Sequence, residues 1–169
     1  GSTYVGTDCI VDNWTPVGSV AELSAWGDYA VRLRFRILER GSDHRDGAWT
    51  GLRYHDAGEC YSLHFIQGRI QLHKASQGRS TNDEVKMAEA PWETDDAWHE
   101  VMVTFAGRRI VVRLDGRQII DVTDDNFLGV PPVEGGGICL CARRWSGSQA
   151  HTRVAFADIA AEPLARVAQ

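Results

Sequence analysis

Apolar and polar residues alternate along most of this chain, and period-two alternation predicts short β-strands with one buried face. The cleanest run is Asp28 to Glu39. Tyr29, Val31, Leu33, Phe35 and Ile37 fall on one side of it; Ala30, Arg32, Arg34, Arg36 and Leu38 fall on the other. Trp49 to Asp56 reads as a second strand, after a polar Asp- and Gly-rich loop from Gly41 to Gly47. Cys60 to Lys74 reads as a hairpin turning at Gln67-Gly68. A two-residue turn there sets Phe65 opposite Ile70, Leu63 opposite Leu72 and Tyr61 opposite Lys74, a mostly apolar face. On the reverse face His64 meets Gln71, Ser62 meets His73 and Ile66 meets Arg69. A slip of one residue would mix the two sets, so the pattern supports this register.

The second half of the chain behaves in the same way. Ala75 to Asp96 is polar and aperiodic, and predicts a long loop with a short strand near Val85-Lys86-Met87. Three strands are expected between Trp98 and Val122. A turn at Ala106-Gly107 would pair Val103 with Ile110 and Val101 with Val112. It would also set Glu100 against Arg113, a cross-strand charge pair worth ~0.2–1 kcal/mol. Asp115-Gly116 is a strong hairpin signal. Gly135 to Gly137 leads into a strand from Ile138 to Ala142, a polar loop follows to Thr152, and Val154 to Ala160 is the last strand. No helical period lasts three turns. Many short strands with Gly-rich turns predict an all-β sandwich or barrel.

Length and charge narrow the possibilities. The 169 residues suit one domain with a real core. Its expected extent is 3–164, with Gly1-Ser2 read as a cloning scar that hides any native targeting signal. No apolar run is long enough to span a bilayer, so membrane insertion is not expected. A net charge of −5 argues against nucleic acid as a partner. The basic residues are 16 Arg and only 2 Lys. A guanidinium is a planar fork of donors that suits carboxylates and sugar hydroxyls, although a GC-rich genome also favours Arg codons. The four cysteines, Cys9, Cys60, Cys139 and Cys141, allow three pairings, and sequence does not choose among them. Cys139 and Cys141 point the same way from one strand and are not expected to bridge. No His accompanies them at zinc-finger spacing, and no His pair has helical zinc spacing.

Several segments together resemble the concanavalin A-like lectin/glucanase superfamily. They are Trp26 to Val31, Gly51 to Tyr54, Cys60 to Leu63, Trp98 to Val101, Ile110 to Gly116, Gly137 to Leu140 and Val154 to Ile159. The likeness is nearest to laminin-G-like carbohydrate-binding modules and 3-keto-disaccharide hydrolases. It implies a two-sheet antiparallel jelly-roll β-sandwich whose sugars lie on the concave sheet or in loops at its rim. It also places the strands at Asp28 to Glu39, Trp49 to Asp56 and Cys60 to Ile66 side by side in that concavity. The shared motifs are structural, so they speak for fold more than for function.

On that placement the ligand-binding residues are Arg32, Arg34, Arg36, Arg53, His55, His64, Gln71 and His73, all opposite the apolar face. Such donors suit sugar hydroxyls, and bidentate Arg contacts suit a uronate. The plainer explanation is a surface neutralised by Asp and Glu from loops. Among six Trp, Trp14, Trp26 and Trp98 are read as packing. Trp145, then Trp49, are the better stacking platforms for a sugar ring, and Trp92 also lies beside a polar loop. Arg53→Ala and His64→Ala are therefore expected to weaken binding without unfolding the domain.

Catalysis is disfavoured. Glycoside hydrolases need a pair of carboxylates, and where the resemblance implies an acidic strand motif this chain reads Tyr61-Ser62-Leu63-His64-Phe65. Gln71-Leu72-His73 only echoes the lyases of the fold. The acidic pairs Asp83-Glu84, Asp95-Asp96 and Asp124-Asp125 read as turn residues. No cofactor is expected beyond a structural calcium ion, for which Asp124 and Asp125 are weak candidates. The expectation is a non-catalytic carbohydrate-binding module for an oligo- or polysaccharide, acidic ones included. It would be extracellular or on the cell surface, as part of a larger multidomain protein. The alternatives are a glycan-active enzyme, or a laminin-G-like adhesion or spacer domain.

Overall fold

The computed structural model describes residues 3–7, 15–17, 27–76 and 84–164. Twelve strands run through them: β1 (Thr3–Thr7), β2 (Thr15–Val17), β3 (Tyr29–Glu39), β4 (Gly47–Asp56), β5 (Glu59–Ile66) and β6 (Arg69–Ala75), then β7 (Val85–Pro91), β8 (His99–Ala106), β9 (Arg109–Leu114), β10 (Arg117–Thr123), β11 (Gly137–Arg143) and β12 (Arg153–Pro163). They form two antiparallel six-stranded sheets. The first has the order β1-β12-β3-β8-β9-β10, the second β2-β11-β4-β5-β6-β7. The described residues include no helix long and apolar enough to cross a membrane.

The two inner faces make one core. Tyr29, Val31, Leu33, Phe35 and Ile37 of β3 are buried against Tyr61, Leu63 and Phe65 of β5 and Ile70 and Leu72 of β6. Phe35 and Phe65 meet across the sheets with ring centroids 4.2 Å apart. Each fully buried Phe contributes about 1.5–3 kcal/mol. Trp92 joins them edge-on, 5.9 Å from Phe35 and 6.1 Å from Phe65, and is a core residue where its polar neighbours suggested a loop.

The β5–β6 hairpin has the expected register at all six expected pairs, with Gly68 at φ 76°. Asp115 and Gly116 both take positive φ, as a two-residue I′ turn demands. Two expectations fail. The β8–β9 turn falls at Gly107-Arg108, because Gly107 takes the positive φ of 57°. Val103 therefore pairs with Val112 and Met102 with Arg113, while Glu100 lies opposite Arg34. A slip of two residues keeps every face, so apolar patterning was blind to it. Val85–Pro91 is a full strand paired with β6, hidden in sequence by its small, weakly strand-forming alanines. Lys74, expected to face Tyr61 among apolar groups, does so as a buried ion. Its Nζ lies 2.7 Å from both carboxylate oxygens of Asp124 and donates to the Val130 carbonyl at 2.6 Å. Tyr61 Oη donates to the same carboxylate at 2.6 Å, tying the 124–133 segment to the second sheet.

Candidate functional site

The outward face of the second sheet is built from rows of side chains fixed by register. One row runs Cys141–Trp49–His64–Gln71–Glu89 across β11, β4, β5, β6 and β7. The next runs Cys139–Gly51–Ser62–His73–Lys86. Unlike an ordinary solvated face, much of this one is buried: Trp49, Ser62, His64, Cys139, Cys141 and Arg143 all are. The aromatic groups form a stack. The Trp49 and His64 rings lie 3.4 Å apart and 10° from parallel; His64 and His73 lie 4.3 Å apart at 21°.

Two loops wall this face. Asp46 is fully buried. Its carboxylate accepts from the Trp145 backbone N–H at 2.5 Å and the Asp43 N–H at 3.0 Å, joining the loop after β3 to the loop after β11. Asp43 in turn accepts from Nε and Nη2 along one edge of the Arg45 guanidinium, at 2.8 and 2.9 Å, and that pairing keeps its carboxyl well below the usual carboxylate range. The Arg45 guanidinium lies 3.7 Å over the Trp145 ring. Buried Arg143 reaches both indoles, 5.1 Å from Trp49 and 5.2 Å from Trp145. Between loops and sheet lies a cavity of about 170 Å³, lined by Arg45, Trp49, His64, Ile66, Gln71, His73, Glu84 and Trp145.

Glu84, just before β7, closes one side and is the residue that sequence reasoning missed. It reads as half of an acidic turn pair, but its side chain is only 4% exposed. Ser62 Oγ donates to Glu84 Oε1 at 2.9 Å. The other oxygen, Oε2, lies 3.4 Å from His64 Nε2 and 3.6 Å from His73 Nδ1. Burial raises the Glu84 pKa to about 7, against the Ser62 hydrogen bond and Arg143, which lower it. Burial also drives both histidines down, His64 well below 6.5 and His73 to about 4. Smaller contributions from His73 and Arg143 add to this for His64, and Lys86 adds to it for His73 against Glu89, which raises that pKa. The only signal in sequence was the hairpin register, which sets His64 and His73 diagonally on one face.

The expected binding residues are thus divided. Trp49, His64, Gln71, His73 and Trp145 do meet at one cavity. Arg32, Arg34 and Arg36 do not join them, because β3 belongs to the other sheet and these side chains leave its opposite outer face. There Arg34 pairs with Asp158 at 3.3 Å, and Arg36 donates to the Asp96 carbonyl at 2.6 Å. Arg53 is a further correction: it is buried, at φ 45°, and points to the end of the sandwich. It donates to the carbonyls of Val133 at 3.0 Å and Gly27 at 2.8 Å, and its guanidinium lies 4.6 Å over Phe105. His55 is exposed nearby, 2.8 Å from the Glu134 carbonyl. Trp49 presents a face to His64, which removes that face as a sugar platform. Trp98 lies under Arg34 at 5.1 Å, outside the core. Trp14, Trp26 and Cys9 lie outside the described residues. Asp124 faces the Lys74 ammonium where a calcium ligand would face its ion, and exposed Asp125 lies 3.5 Å from Arg108.

No protein-family model matches the sequence, and no curated protein matches it. Solved structures do match in fold. The carbohydrate-binding module CBM66 from Bacillus subtilis superposes with a TM-score of 0.61 at 18% identity, over 80% of this chain and 75% of that one. Sheep galectin-11, in complex with glycerol, gives 0.57 at 8% identity, over 96% and 98%. The binding domain of botulinum neurotoxin DC, in complex with rat synaptotagmin II, gives 0.55 at 10% identity, over 94% of this chain and 43% of that one. The chain therefore has the lectin-type two-sheet antiparallel β-sandwich fold.

Proposed function

We propose that this protein binds a glycan without cleaving it, and that the sugar enters the cavity over β4, β5 and β6. The observation that carries the reading is the cavity itself, a partly buried hollow on a sheet face, flanked by indole rings and ringed by fixed polar groups. Gln71, His73 and Arg45 offer hydrogen bonds to hydroxyls, and half-buried Trp145 offers a ring edge at the rim. The volume of about 170 Å³ is below the ~300–1,000 Å³ of sites for drug-sized ligands, so it suits one sugar residue rather than a length of chain. Arg45 and Arg143 favour a sugar that carries a carboxylate. Similarity of fold to a carbohydrate-binding module and a galectin supports the reading. Secretion, and attachment to a larger protein that acts on glycans, belong to the same proposal.

A specific observation favours a second reading. Glu84, titrating near 7 beside two histidines, has the protonation behaviour of a general acid–base. Product analysis after incubation with alginate, pectin and β-glucans separates the two readings, since a binding module releases nothing.

Binding to a panel of neutral and uronate oligosaccharides tests the site. His73→Ala and Gln71→Ala should each weaken affinity by roughly 5–30-fold, the loss of a hydrogen bond or two. Arg34→Ala, on the opposite face, should leave it unchanged. If Arg34→Ala abolishes binding while the cavity variants bind normally, the site is on the wrong sheet.

A further inference from the structure

We infer that His64, His73 and Glu84 form a binding site for a divalent transition-metal ion of the zinc class. The inference rests on hydrogen-bond bookkeeping and does not depend on the glycan reading. Glu89 is a carboxylate and can only accept, so the Gln71 amide must turn its NH₂ towards it, as the 2.7 Å contact shows. The Gln71 carbonyl oxygen then faces His73 Nε2 at 3.1 Å, and Nε2 must carry the proton. The Nδ1 of His73 is left as a bare lone pair. It is buried, has no hydrogen-bond partner, and lies 3.6 Å from Glu84 Oε2. Two electron-rich atoms facing each other in a low-dielectric site repel unless a proton or a cation lies between them. The second-residue chain Glu89–Gln71–His73 is the arrangement that fixes the tautomer of a metal-ligating histidine.

The distances fit such an ion. A metal about 2.0–2.1 Å from each ligand in a tetrahedron separates them by about 3.3 Å. Glu84 Oε2 stands 3.4 Å from His64 Nε2 and 3.6 Å from His73 Nδ1, and one ligand atom from each of the three residues lies within 4.8 Å of the other two. Two imidazole nitrogens with one carboxylate oxygen suit zinc, cobalt, nickel or copper; calcium and magnesium want oxygen alone. All three residues line the cavity. His64 Nε2 donates to Ser62 Oγ at 2.8 Å, so loading the site requires His64 to change tautomer, its proton passing by exchange with solvent to Nδ1, while Ser62 keeps its bond to Glu84. Arg143 opposes a cation here, but its charge is shared with the two indole faces it covers. The 21° between the imidazole planes is too small for both in-plane lone pairs to meet at one ion. Binding must therefore open the stack, and Trp49, lying on His64, will report it.

Zinc chloride titrated calorimetrically into the chelator-treated whole chain tests this, with no glycan present. One ion should bind per chain, Trp fluorescence should change at the same equivalence point, and the change should disappear in Trp49→Phe. Cobalt should give the visible absorption of a low-coordinate nitrogen–oxygen site. His73→Ala and Glu84→Gln should each weaken zinc binding more than tenfold, and Gln71→Leu roughly tenfold, through the lost tautomer control. His73 is the part-exposed member, so its variant decides the matter if Glu84→Gln does not fold. No saturable heat up to millimolar zinc, or equal affinity in wild type and His73→Ala, overturns the inference. Either result leaves the glycan measurements standing on their own.

Discussion

Arg53 shows how much a single residue's surroundings decide. In the strand pattern it is one more outward donor, but its positive φ breaks the alternation of β4 and turns the guanidinium into the end of the sandwich. Gly136 makes room for that turn: a Cβ there would lie 2.4 Å from the Arg53 carbonyl carbon. The guanidinium joins residues 27 and 133 to Phe105, so its role is cohesion rather than recognition. Arg53→Ala should cost about 1.5–3 kcal/mol, the worth of buried hydrogen bonds from a charged group. His55→Ala, at an exposed position two residues on, should stay within about 0.5 kcal/mol. Urea unfolding of both variants makes the comparison; equal stabilities would return Arg53 to the list of binding residues. Lys74 carries the same lesson. Its long aliphatic stem fits an apolar row, and only the arrival of Asp124 from another strand's end makes its charge tolerable there.

At the scale of elements, hairpin tips are held by side chains from elsewhere. His99 opens β8 and stands between two carboxylates, Nδ1 at 2.8 Å from Asp115 of the β9–β10 turn and Nε2 at 2.8 Å from Asp95. Burial lowers its pKa, but the bonds to Asp115 and Asp95 outweigh burial and the net shift is upward from 6.5. The folded state then holds a proton that the unfolded chain has lost above pH 6.5. This stabilisation is complete below the unfolded pKa and fades as pH rises through the folded one. Glu84, raised to about 7, loses its native proton in an overlapping window and pulls the same way. His64 and His73, held below 6.5 in the folded state, pull the opposite way, so the test is a difference: the gap in unfolding midpoint between the wild type and His99→Gln should shrink as pH rises from about 6 to 8. Parallel pH curves for the two proteins would show that His99 is not held charged. The hairpins also mark how far patterning reaches. It distinguished the two faces of β5 and β6 because a one-residue slip inverts them. It placed the β8–β9 turn one residue early because a two-residue change of partner inverts nothing.

For the whole molecule, the two outer faces differ in kind. The face over β3 carries exposed arginines matched to nearby acids, Arg34 to Asp158 and Arg153 to Glu39. The face over β4 to β6 is roofed by loops and holds buried polar groups around a hollow. With a net charge of −5, the protein as a whole repels an anionic glycan, and any attraction must come from the local pair Arg45 and Arg143. Affinity for a uronate oligosaccharide should therefore fall as salt rises from about 0.01 to 1 M, because exposed parts of that field are screened. Affinity for its neutral counterpart should not change. A flat salt series with the uronate would remove the acidic ligand and leave neutral sugars.

Alternation of apolar and polar residues is a local property, and the sequence by itself determined what local properties can: most of the strands from β3 onward, their inward faces, the β5–β6 register and the Asp115-Gly116 turn. Four of the ten expected binding residues, Trp49, His64, Gln71 and His73, line one cavity for the same reason, since adjacent strands share a face, and Trp145 joins them from a loop. Which sheet a strand enters is a matter of long-range pairing. A side chain that leaves the core looks the same in sequence whether it exits through one sheet or the other. Only the tertiary structure could send the β3 arginines to the far side, bury Arg53, give Lys74 its counter-ion, and bring Glu84 to two histidines from which sequence separates it.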